Sequence, residues 1–171
     1  MDAADIDLQR AYKSSVDPRL TFIKMLGAEH LPGDFVEDIN RYKFRGSSGK
    51  VNMALDGLPE FTCLPGHGAH LRGAISISPS VEYMERAYDD AKYGRFSRRP
   101  YMDVVIPTLT DPSLAPPGKH VMSCFVQYAP YDVEGGWTDA KKEAFGETVI
   151  ATIEKYAPNI RQVIVGKQVI T

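Results

Sequence analysis

Cys63, His67 and His70 fall within one short stretch, CLPGHGAH (Cys63–His70). Thiolate and imidazole are zinc ligands, and the two histidines are close enough in sequence to share an ion. No second cysteine pair or acidic ligand follows at a recognisable spacing, so an ordinary loop with no metal site is the expectation. His120 and Cys124 could lie on one strand face, yet four residues apart they are too far separated for a nucleophile and its base. Ser, His and Asp are all present, but G-x-S-x-G is not, so no nucleophile elbow is read. Neither G-x-G-x-x-G nor G-x-x-x-x-G-K-[ST] occurs. The Gly46-Ser47-Ser48-Gly49-Lys50 run has the spacing of neither, so no phosphate-cradling loop is expected. Tyr128, Tyr131 and Trp137 follow an apolar run and suit a core or rim, or the wall of a pocket. Arg95, Arg98 and Arg99 form a small basic cluster, expected to be a solvated face. The residues alone predict no catalytic, cofactor-binding or metal-binding set.

The elements that must position these groups are organised around Tyr101–Tyr131, YMDVVIPTLTDPSLAPPGKHVMSCFVQYAPY. Val104–Ile106 and Val121–Tyr128 are β-branched, apolar runs and read as strands. Pro107, Pro112, Pro116 and Pro117 lie between them and keep that connection out of a sheet interior. In Val121–Tyr128 one side carries Met122, Cys124, Val126 and Tyr128, the other Val121, Ser123, Phe125 and Gln127. A strand apolar on both sides needs cover on both sides.

Residues 1–17 hold few large apolar side chains and are expected to form a loose leader, with the domain running over 18–171. Leu20, Ile23 and Leu26 predict a short helix ending at Gly27. Phe35, Val36 and Ile39 predict a second over Pro32–Tyr42. Phe44–Asp56 changes period: Val51, Met53 and Leu55 alternate with Lys50, Asn52 and Ala54, which predicts a strand. Leu58–Ala69 is a loop. Leu71–Ser78 reads as a strand, and Ser78-Pro79 as the start of a helix with Val81, Met84, Ala87, Tyr88 and Ala91 on its buried stripe and Gly94 at its end. Arg95–Pro100 reads as a basic, exposed connection. Gly135-Gly136 marks a turn. Thr138 caps a helix to about Tyr156 with Phe145, Val149, Thr152, Ile153 and Tyr156 inward, and Arg161–Ile170 is a last strand. From Leu71 the order is strand, helix, strand, strand, helix, strand. The predicted class is α+β: a mixed sheet with a ferredoxin-like split βαβ core and an extra N-terminal strand and helices. Helices lie mainly on one face and the sheet stays partly uncovered.

Hydrophobic residues make up 43% and charged residues 25% of the chain, the composition of a globular domain. A net charge of −2 gives no electrostatic case for nucleic acid or an anionic membrane. No apolar run approaches the roughly 20 residues of a membrane span. MDAADIDLQR lacks the apolar core of a secretory signal. Two cysteines are too few for a disulfide framework, so a cytoplasmic setting, or an organelle matrix, is expected.

Four stretches carry a resemblance: Arg41–Phe61, RYKFRGSSGKVNMALDGLPEF; Gly73–Gly94, GAISISPSVEYMERAYDDAKYG; Tyr101–Tyr131; and Gly135–Ile160, GGWTDAKKEAFGETVIATIEKYAPNI. Together they resemble phytoene dehydrogenase-related, FAD-dependent oxidoreductases, in particular the pyridine nucleotide-disulphide oxidoreductase domain-containing protein 2 type. The resemblance covers roughly residues 16–171. In that family a two-part Rossmann-like domain binds FAD, and the part resembled here is the substrate domain inserted between its halves. The resemblance therefore implies a substrate-binding domain or fragment, with FAD held by the parent's flavin-binding domain and none bound by this chain alone. No family flavin-binding residue matches a position here. In the parent, hydride passes from substrate to flavin. The resemblance also implies that one sheet face roofs a substrate cavity, lined by Lys50 and Asn52 of the first strand or by Ser123, Phe125 and Gln127 of the central strand, with Tyr128 at its end. The rival expectation is a stand-alone ferredoxin-like interaction module forming a homodimer through its bare sheet face.

Overall fold

The computed structural model of the chain describes residues 14–43 and 46–171. Most of the expected leader, residues 1–13, lies outside the described residues, as do Phe44 and Arg45 at the start of the first expected strand. The chain divides into two compact units, one ending at residue 44 and one running from residue 45 to Thr171.

In the first unit a helix with π-type bonding spans Arg19–Gly27 and stops where Gly27 takes φ +98°, a backbone that glycine adopts at no steric cost. Helix α1, Gly33–Arg41, follows. The Phe22 and Phe35 rings meet edge to face at 5.0 Å, and Arg19 Nη2 donates to the Asn40 carbonyl at 2.9 Å.

The second unit is built on one antiparallel sheet. Its strands are β1 (Ser48–Leu55), β2 (Ile75–Ile77), β3 (Tyr101–Val105), β4 (His120–Gln127) and β5 (Ile164–Ile170), in the order β2-β3-β4-β1-β5. The α+β class is as expected, with a sheet left partly uncovered. The strand arrangement differs from the expected ferredoxin-like order. That order would put β2 between β4 and β5, and β1 holds the slot instead, pairing antiparallel with both. A split βαβ unit is nevertheless present: β4 and β5 run parallel either side of β1 and are joined through the helix over Asp139–Glu154. All paired neighbours are antiparallel, so the sheet is not mixed at the level of adjacent strands. Periodicity assigns faces, and carries no information on which strands become neighbours.

Val51, Met53 and Leu55 of β1, Met102 and Val104 of β3, and Met122, Cys124 and Val126 of β4 point to one face and are almost completely buried. Burial of each large side chain contributes about 1.5–3 kcal/mol. Helix α3, Asp139–Glu154, covers this face with Phe145, Val149, Ile150 and Ile153. Thr138 caps it by accepting from Lys141 N at 3.2 Å. A Cβ at Gly49 would stand 2.7 Å from the Phe145 ring, so glycine there lets α3 settle onto β1.

Helix α2, Val81–Lys92, packs beside β3, and three local readings are corrected there. The expected strand over Leu71–Ser78 is reduced to Ile75–Ile77, because Ala69–Arg72 forms a 3-10 turn that buries Leu71. The cap is Ser80, whose Oγ accepts from Tyr83 N at 3.1 Å; Ser78 bonds Ser76 instead, at 3.0 Å. The expected stripe is mostly solvent-facing: Val81, Met84 and Tyr88 are exposed, while Ala87 and Asp90 are buried. Asp90 is inward because Arg98 donates its backbone N–H at 3.0 Å and its Nε at 3.1 Å to the carboxylate. The Arg95–Pro100 connection is likewise not all exposed: Ser97 and Pro100 are buried.

Candidate functional site

Alternation along each strand sets the face opposite α3. It carries Ser76 on β2; Tyr101, Asp103 and Val105 on β3; Val121, Ser123, Phe125 and Gln127 on β4; Ser48, Lys50, Asn52 and Ala54 on β1; and Gly166, Gln168 and Ile170 on β5. Register groups them in rows. Asp103, Phe125, Lys50 and Ile170 lie side by side, and Val105, Ser123, Asn52 and Gln168 form the next row. Phe125 is 48% exposed, Ile170 47% and Val105 41%. Large apolar side chains held open on three strands of one rigid sheet make a surface suited to an apolar partner or ligand.

Polar groups cross that surface in a line. Ser123 Oγ donates to Asn52 Oδ1 at 2.9 Å, and Asn52 Nδ2 donates to Gln168 Oε1 at 3.3 Å. Serine, asparagine and glutamine are thereby fixed in orientation across β4, β1 and β5, while Lys50 and Asp103 stand exposed on either side of Phe125. Such a face can orient a ligand by a few hydrogen bonds and one cation and exclude water with Phe125, Val105 and Ile170.

Of the residues assigned to a cavity wall from the sequence, the fold brings Lys50, Asn52, Ser123, Phe125 and Gln127 onto this single face, so the two strands named as alternatives contribute together. Tyr128 leaves the strand ladder. Its N–H donates to Ser97 Oγ at 2.9 Å and its carbonyl accepts from Ser97 N at 2.9 Å. Its ring lies between Tyr88, at 5.2 Å, and Tyr101, at 5.7 Å, forming an aromatic corner at one end of the open face. Burial, then the Tyr128 hydroxyl, push the Tyr101 phenol up to about 12, so it stays a neutral donor at physiological pH. Sequence reasoning missed Tyr101, Asp103, Val105, Gln168 and Ile170; the alternation in YMDVV was available to reveal the first three.

The other groups singled out above do not assemble. Trp137 packs on Phe96 and Phe145 at 6.0 and 5.9 Å and donates Nε1 to the Pro130 carbonyl at 2.9 Å, so it belongs to the core margin. Tyr131 is exposed. Cys63 is exposed, and among the described residues no group of three or more His, Cys, Asp or Glu side chains converges on a metal position. Cys124 has no exposed surface and burial pushes its thiol up to about 12, which leaves it without nucleophilic thiolate. His120 bonds Thr108 Oγ1 at 3.2 Å, and burial, with His67 nearby, lowers its pKa. A wide groove of about 440 Å³ runs past Phe61, Pro65, Pro158 and Asn159. Asn159 is occupied in holding the chain, accepting from Glu60 N at 2.8 Å and donating to the Leu58 carbonyl at 3.0 Å. Among the described residues no helix is long and apolar enough to cross a membrane.

No protein-family model matches the chain. Curated proteins do, two rodent proteins of one name among them. The chain is 36% identical over 170 residues to pyridine nucleotide-disulfide oxidoreductase domain-containing protein 2 of Rattus norvegicus, and 34% identical over 170 residues to the protein of that name from Mus musculus. Each match takes in 95% of this chain and 29% of the relative. The chain is thus similar, along nearly all of its length, to less than a third of a larger protein named as an oxidoreductase.

Proposed function

We propose that this chain is the substrate-binding domain of a phytoene dehydrogenase-like, FAD-dependent oxidoreductase, and that the open sheet face is the wall it turns toward the substrate. The observation that carries the reading is the asymmetry of the sheet: one face is sealed by α3, while the other holds Phe125, Val105 and Ile170 open around the Ser123–Asn52–Gln168 line. An apolar wall with a few fixed polar groups is the chemistry of a cavity for a largely apolar ligand. The similarity to a segment of oxidoreductase-named proteins supports the same reading.

The residues present do not fit a flavin dinucleotide. Among the described residues no G-x-G-x-x-G run opens a helix: Gly135-Gly136 precede α3 without that spacing, and the Gly46–Lys50 run leads into strand β1, where no helix N-terminus faces a phosphate. A bound flavin would supply the hydride acceptor, and segments of a larger protein other than these would hold it. What this chain contributes is position and dryness: Phe125 and Val105 exclude water, and Asn52, held by Ser123 and Gln168, offers a fixed amide.

The test is a chimera in which the matching segment of the rat relative is replaced by this chain. The chimera is expected to purify with bound FAD and the 171-residue chain alone without it. FAD bound stoichiometrically by the isolated chain, or a folded chimera that holds none, contradicts the reading.

A further inference from the structure

We propose that two copies of this chain pair through the open sheet face about a two-fold axis that runs along β4. This goes beyond the reading above, since it concerns what occupies the face when the chain stands by itself.

The argument rests on the register. Asp103 of β3 and Lys50 of β1 both lie opposite Phe125, one strand to either side of it. A half-turn about β4, with the axis in the plane between two facing sheets, exchanges those two sides. Each Asp103 then lies over Lys50 of the other copy, and the two Phe125 rings meet at the axis. The neighbouring rows obey the same operation: Val105 comes over Asn52, Ile170 over Ser76, and Ser123 and Val121 meet their own counterparts. A self-complementary patch of this kind is what an isologous dimer requires. Asp103 and Lys50 are the charged residues that the described strands place on this face, and among the described residues neither forms an ion pair. The half-turn therefore brings no like charges together. Packed sheets lie about 10 Å apart and cross at about 30°, which displaces each Asp103–Lys50 pair by about 2–3 Å, within the reach of a lysine.

Size sets the strength. Strands β1 and β4 are eight residues long, β5 seven, β3 five and β2 three; at about 3.4 Å per residue and about 4.8 Å between strands the face is roughly 500 Å² per copy. A standard interface uses about 800 Å² per partner, so this one falls in the size class of weak, reversible pairs.

Sedimentation equilibrium of the full chain tests this. A mass of twice 19.0 kDa is expected at roughly 50 μM, falling to the single value on dilution. Asp103→Lys and Lys50→Asp each create two like-charge contacts per dimer, and each is expected to weaken association by at least about tenfold. The double variant Asp103→Lys/Lys50→Asp restores opposite charges and is expected to return within about threefold of the original. Both positions are exposed, and an unchanged circular dichroism spectrum and melting temperature show that the variants fold. A chain monomeric at every concentration, single variants without effect, or a double variant that fails to restore pairing overturns the proposal. A monomeric chain whose chimera still loads FAD sinks the dimer alone; a charge-rescued dimer beside a flavin-free folded chimera sinks the substrate-domain reading alone.

Discussion

Ser97 has no exposed surface, and its hydroxyl serves two elements at once. Oγ donates to the Ala87 carbonyl of α2 at 2.5 Å and accepts from Tyr128 N, just past β4, at 2.9 Å. That clamp fixes where the Tyr88–Tyr128–Tyr101 corner stands beside the open face. Ser97→Ala leaves the part-buried Tyr128 N–H without its hydroxyl partner, at a cost of about 1 kcal/mol. Urea unfolding should show a lower midpoint and an unfolding free energy smaller by that amount; an unchanged midpoint means the clamp is dispensable. Nothing in RFSRRP marks this serine as buried, because its partners come from residues 10 and 31 positions away. Lys50, Asn52, Ser123 and Phe125 were legible because each sits in a strand whose alternation is written in its own neighbours.

Between elements, a charged seam ties α3 to β5. Lys167 donates to Glu143 and Glu147 at 2.6 and 2.8 Å, and Arg161 donates to Glu147 and Glu154 at 3.0 and 2.9 Å. Hydrogen bonds from Lys167 and then Arg161 hold the Glu147 carboxyl below its ordinary value of 4.5. A carboxyl whose folded pKa is depressed adds stability above its unfolded value and loses it as pH falls through the folded one. Glu147 is 45% exposed, so solvent screens the seam and its worth is below about 1 kcal/mol. Between about pH 5 and pH 3 the wild-type chain should lose more stability than Glu147→Gln, read as urea midpoints across that range. Parallel curves for the two proteins would remove the seam from the acid response. Helix α3 was readable from its apolar stripe and its threonine cap. Helix α2 was readable in its extent but not in its buried side, because Val81, Met84 and Tyr88 face solvent while Asp90 turns inward to meet Arg98. The place of β1 between β4 and β5 was hidden for a different reason: face assignments survive any permutation of strand order.

Across the second unit, the distribution of cover is the feature from which function follows. Val121–Tyr128 reads as mostly apolar on both faces, and the sequence already requires a second cover for it. The fold supplies α3 on one side and leaves Phe125 and its neighbours open on the other. Substrate, a second copy, or other segments of a larger protein each satisfy the same surface, and they differ in what they do to a probe placed at its centre. The direct measurement is thiol labelling at position 125, using Phe125→Cys with Cys63→Ser, in dilute isolated chain and in the FAD-loaded chimera, with the modified peptide quantified by mass spectrometry. Fast labelling of the isolated chain and slow labelling of the chimera is the expected result. Equal, fast labelling in a chimera that is folded and flavin-loaded would show that this face is turned away from the rest of the enzyme, and would contradict its role as the wall of a cavity.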